Sequence, residues 1–175
     1  MGKNKASVST LNFVVLTCLL FVFSGVFSVV SAQAFEDFAT FERAVKEMEK
    51  TAPQNIPAML EAQQKYVESY SLSDQVSYHL LSSEFYNNRG KFEFAKSAAN
   101  KGLELVKQQH SPSAVIPELL YSRGFANENL GDSEAAMQDY QNGTQLAKSL
   151  NHLENTAYGY VNIGAMQYLA QQYQQ

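Results

Sequence analysis

Histidine, carboxylate and amide side chains are what this chain has for chemistry, because its one cysteine is Cys18. His79, His110 and His152 lie far apart, and none stands in an H-E-x-x-H or paired Cys/His spacing that would hold zinc. No Gly-rich phosphate loop occurs. Asp37, Glu47 and Glu49 are spaced as a solvated helix face, and each histidine reads as an ordinary helix or loop residue. Asn142-Gly143-Thr144 matches a glycosylation sequon but falls inside an expected helix. The expectation is therefore no catalytic residue, no cofactor and no metal, which leaves non-covalent recognition as the chemistry open to the chain.

The elements that would carry such recognition repeat. Gly90 recurs as Gly131, Ala95 as Ala136, Gly102 as Gly143 and Leu105 as Leu146, each 41 residues on, and Gly124 recurs as Gly164 at 40. A period in that range predicts an array of helical hairpins. The first unit has a helix A from about Gln75 to Asn88, a turn at Arg89-Gly90-Lys91 and a helix B from Phe92 to Gln109. The second has helix A from Pro117 to Leu130, a turn at Gly131-Asp132 and helix B from Ser133 to Leu150. A third helix A runs from Asn155 to Ala170, with helix B starting only just before Gln175. The units span 75–112, 116–151 and 155–175.

Upstream, residues 35–74 read as a degenerate helical hairpin. Phe35, Phe38, Phe41, Val45 and Met48 share one face of a helix that Thr51-Ala52-Pro53 ends. Pro57 suits the first turn of a second helix, with Met59, Leu60, Tyr66, Val67 and Tyr70 as its apolar surface. Ser71 to Asp74 can cap the next.

The N-terminus sets the compartment. Lys3 and Lys5 precede an uncharged stretch from Ala6 to Phe35, strongly apolar between Leu11 and Val30. Val30-Ser31-Ala32 and Ala32-Gln33-Ala34 are overlapping small-residue cleavage candidates, so 1–34 reads as a signal peptide or, uncleaved, as a membrane anchor. Thr17 before Cys18 is bulkier than a lipid-attachment signal expects. Both readings export the remainder, to the periplasm of a bacterium, with any membrane contact made by the N-terminal segment alone. Without Lys3 and Lys5 the 13 basic residues become 11 against 17 acidic, a net charge of −6, which argues against nucleic acid as a partner.

These units resemble tetratricopeptide repeats. Ser83, Tyr86, Gly90, Phe92 and Ala95 match the pattern in the first; Leu120, Gly124, Gly131, Ala136 and Tyr140 in the second; Tyr160, Ile163, Gly164 and Tyr173 in the third. Arg123, Asn127 and Ala99 depart from it. The resemblance implies an all-α helical-repeat solenoid in which Ser83, Ala95, Gly124, Ala136 and Gly164 let helices cross closely and Gly90 and Gly131 make turns. It also implies a concave face built by the A helices, on which Asn87, Asn88, Tyr121, Phe125, Glu128, Asn129 and Tyr168 would meet a protein or peptide. Ser77, Leu80, Glu84, Glu118, Tyr158, Val161 and Ala165 belong to that implied face too, although Leu80, Phe125 and Val161 could equally pack against a neighbouring unit. The face carries glutamates and no Lys or Arg, so an anionic peptide end is a poor partner.

The organisation is also similar to the exported sensory regions of bacterial membrane signalling proteins such as diguanylate cyclases, although no second apolar span or G-G-D-E-F sequence follows. The resulting expectation is an exported interaction scaffold without catalytic activity, or else the sensory part of such a signalling protein. Tyr160, Ile163 and Met166 should lack part of their cover in the third unit, which invites self-association.

Overall fold

The computed structural model describes residues 35, 37–108 and 114–172, and every regular element among them is helical. The leader, Cys18, the His110-Ser111-Pro112-Ser113 loop and Tyr173 lie outside the described residues. None of the described helices is long and apolar enough to cross a membrane.

Helix α1 spans Phe38–Thr51. The Asp37 side chain accepts from Thr40 N at 2.7 Å and caps its start, while Phe38, Phe41 and Val45 bury one face. Pro53 ends it in a 3₁₀ turn, and α2 follows at Ile56–Gln64. This second helix is shorter than its apolar spacing suggested. A 3₁₀ turn at Val67–Ser69 carries Val67 into the core, and Tyr70 is buried with extended backbone instead of helical. Phe41, Val45, Ile56, Leu60, Tyr78 and Phe85 then make one apolar cluster, so the upstream hairpin is built onto the repeats.

Helix α3, Leu72–Asn87, starts earlier than Gln75 because the Ser71 hydroxyl caps it, accepting from Asp74 N at 3.2 Å. Helices α4 (Phe92–Val106), α5 (Val115–Asn129), α6 (Ser133–Ser149) and α7 (Leu153–Gln172) complete the order. Helix α3 packs on α4, α5 on α6, and α3 and α4 both touch α5, so the first hairpin stacks on the second.

The expected turns form. Gly90 has φ +66° and Gly131 φ +85°, a left-handed backbone that a Cβ would strain. In both, the N–H of the residue after the glycine reaches back five residues, Lys91 N to Tyr86 O and Asp132 N to Asn127 O, both at 2.9 Å. The same bond closes α6, from His152 N to Ala147 O, with Asn151 taking the positive φ.

One expectation about the third unit is corrected, that of a close crossing at Gly164. Helix α7 runs to Gln172, a little past the expected end, and the expected start of a second helix just before Gln175 lies outside the described residues. Gly164 does not mark a crossing: a Cβ there would meet nothing within 4 Å, because among the described residues no helix packs on that face. Gly124, its counterpart, has the Tyr140 ring and Asp139 against it.

Candidate functional site

Of the residues implied as a concave surface, two are interior. Asn87 is 8% exposed and donates its amide to both the carbonyl (2.8 Å) and the hydroxyl (2.9 Å) of Ser122 on α5. Ser122 and Ser83 share a 2.6 Å hydrogen bond, and Ser83 also donates to Ala95 O at 2.9 Å. The Ser83 proton is committed to that carbonyl, so Ser122 donates to Ser83 and accepts from Asn87. Asn87 thus joins two repeats and offers no amide to a partner. Ser83 is likewise more than a small packing residue.

Tyr121 is also buried, its hydroxyl donating to Asn155 O at 2.7 Å. Its ring fills the space that a Cβ on Gly143 would need, and its hydroxyl, with Thr144, blocks a Cβ on Gly159. Tyr121 holds the second hairpin to α7, which makes it core. Glu128 is half-buried and accepts from the Tyr140 hydroxyl at 2.8 Å. That contact and burial push the Tyr140 hydroxyl far above its ordinary range, burial first.

The remaining four are exposed. Asn88 caps α3, Asn129 donates to Phe125 O at 2.8 Å, Phe125 meets the Phe92 ring edge-on at 6.2 Å, and Tyr168 is 63% exposed on α7.

The structure gathers a different set. Ser77, Leu80, Leu81 and Glu84 of α3, Phe38 and Glu42 of α1, and Val115 and Glu118 of α5 line one open cavity of about 320 Å³. Of these, Ser77, Leu80, Glu84 and Glu118 were legible as concave positions, whereas Phe38 and Glu42 were missed because they come from the helix outside the repeat. The cavity's floor is apolar and its rim holds three carboxylates without a Lys or Arg among the lining residues. The Glu84 carboxyl is lifted above the usual carboxylate range by the low-polarity walls first and by Glu118 next, although much of the side chain still meets solvent. Glu42 is paired with Lys46 at 2.7 Å, Lys46 partly offsets the rise at Glu84, and Glu118 accepts from Asn155 at 3.1 Å.

A second hollow of about 270 Å³ lies over α4, α5 and α6, lined by Lys96, Asn100, Arg123, Asn127, Ala135, Gln138 and Asp139. Here Arg123, out of pattern for a helix A, has a structural reason. It pairs with Asp139 through two hydrogen bonds, 2.9 and 2.6 Å, and reaches Asn100 at 2.9 Å, so one guanidinium ties three helices. Asn127 donates to Asp139 at 3.0 Å. Asn87 Oδ1 and Asn127 Oδ1 are buried and accept no hydrogen bond from the described residues.

No group of three or more His, Cys, Asp or Glu able to hold a metal occurs among the described residues. Compared with known proteins, the chain matches no family model, no curated protein and no solved structure.

Proposed function

We propose that this chain is a binding scaffold of the tetratricopeptide type, with no catalysis of its own, that takes an extended protein segment bearing a Lys or Arg side chain in the groove of α1, α3 and α5. One observation carries the reading: three carboxylates rim an apolar concavity with no basic lining residue. An aliphatic stem ending in a cation complements both parts of such a site, the stem on Leu80, Leu81 and Phe38 and the charge at Glu84 and Glu118. A cation there also relieves the repulsion that lifts Glu84. Exposed Asn88, Phe125, Asn129 and Tyr168 are available for contacts farther along the segment.

Calorimetric titration with a peptide library tests this. Peptides with a Lys or Arg among apolar residues bind, and Glu84→Gln and Glu118→Gln each weaken that binding about tenfold, roughly 1.4 kcal/mol. Affinity falls with added salt. A preference for acidic peptides, or indifference to both substitutions, sinks the reading.

The uncovered side of α7 favours a second contact, with another copy of the chain. Leu153, Tyr160, Val161 and Tyr168 are all more than half exposed around Gly164, and contiguous apolar surface of this kind attracts partners. Sedimentation that shows dimers, dispersed by Val161→Lys, supports it; a monomer at all concentrations removes it.

A further inference from the structure

The backbone of Phe35 is gripped on both sides. Phe35 N–H donates to Gln63 Oε1 at 3.1 Å, and the Gln63 amide nitrogen donates back to Phe35 O at 3.4 Å. The Tyr70 hydroxyl donates to the same carbonyl at 3.1 Å and accepts from Gln63 at 2.7 Å. Gln63 is 2% exposed and Tyr70 is buried, so this is an interior clamp. The Phe35 ring adds an edge-on contact to Phe41 at 5.5 Å. A side-chain amide that pairs with both backbone groups of one residue gives it what a neighbouring strand would, and nothing upstream of Phe35 is required for these bonds.

The surroundings suit a positive charge. Burial first, then Asp37 and Asp74, pushes the Tyr70 hydroxyl up to about 12, which places two carboxylates within electrostatic reach of the clamp. Directly before Phe35 stands Ala32-Gln33-Ala34, a small-x-small signal at the end of an apolar run.

We propose that the Ala34–Phe35 bond is a processing site and that the new N-terminus is seated in the Gln63–Tyr70 clamp. A leader peptidase adds water across that amide, leaving a carboxylate on Ala34 and an α-ammonium on Phe35. One of the ammonium protons keeps the bond to Gln63 Oε1, and its charge is favoured by Asp37 and Asp74. Hydrolysis after Ala32 would instead leave Gln33 and Ala34 overhanging the clamp.

The full chain, leader included, is expressed in a bacterial secretion host and its N-terminus read by mass spectrometry. A start at Phe35 is the expected result, lost in Ala34→Lys; a start at Gln33, a retained leader, or release at Phe35 despite Ala34→Lys overturns the site. The seat is read on the released protein by the rate at which its α-amine is acylated at pH 7. Acylation several-fold slower than in Gln63→Ala is expected, and equal rates overturn the seat. Should Gln63→Ala not fold, Tyr70→Phe removes one donor alone and accelerates the reaction to a lesser degree, with an unchanged rate again overturning it.

Discussion

Helices α5 and α7 hold the same place in successive units, yet one is enclosed and the other is half bare. Helix α5 is covered by α3, α4, α6 and α7, and its Gly124 receives the Tyr140 ring. Among the described residues helix α7 packs chiefly on α6 and more lightly on α5, burying Asn155, Gly159 and Met166 while Leu153 is 83% exposed. Both are apolar on several sides. What the comparison teaches is that a small residue in a repeat records room for a neighbour, and the neighbour itself supplies the energy.

The largest effect should come from removing the ring that covers α5. Tyr140→Ala empties a fully buried site and costs about 3 to 5 kcal/mol by denaturant titration, comparable to other buried aromatic truncations. A loss below 1 kcal/mol would mean that the α6 ring contributes little to holding α5. Next is Gly159→Val, on the one closely packed face of α7. Its Cβ collides with Thr144 and the Tyr121 hydroxyl, so about 3 kcal/mol is expected, with α7 losing amide protection before the hairpins.

Ser122→Ala should cost about 1 to 3 kcal/mol, because it leaves Asn87 without one acceptor and Ser83 without its donor. No similar loss is expected from Asn162→Ala on α7, whose amide only returns to Tyr158 O on the surface. A smaller effect is set by pH. Burial, then Lys101, lowers His79 from 6.5 to about 4. The unfolded chain takes up that proton first, so stability present above pH 6.5 is lost as pH falls toward 4. Thermal melts of His79→Leu should flatten over that window, and an unchanged slope would assign the acid sensitivity elsewhere. Smallest and opposite in sign is Gly164→Ala, where open space and ordinary helical backbone predict a gain of about 1 kcal/mol.

The parts legible in sequence were those written locally. Gly90 and Gly131 announce their turns because a left-handed backbone needs little beyond the residue itself, and Ala95 and Ala136 announce crossings because volume alone decides them. The polar joints were not legible. Nothing in the spacing of Asn87 distinguishes a side chain turned toward Ser122 from one turned toward solvent. The pairing of Arg123 with Asp139 and the grip of Gln63 on Phe35 likewise depend on which helices meet. The cavity was half legible for the same reason: α3 and α5 could be aligned by their repeat, whereas α1 has no such counterpart to show where Glu42 falls.

Asn87 Oδ1 and Asn127 Oδ1 are forty positions apart and share one fault, a buried acceptor that no donor among the described residues reaches. Such a group costs about 1 to 3 kcal/mol wherever it occurs. The two oxygens stand at different register positions, since the matched turn bonds align Asn127 with Tyr86 and leave Asn87 one residue out of step, so the cost arises separately at each helix junction. The two amides hold different partners, Ser122 for Asn87 and Asp139 for Asn127, and in each case the nitrogen is engaged while the oxygen stays idle. Each junction is thus held by a donor whose other half is left unpaired.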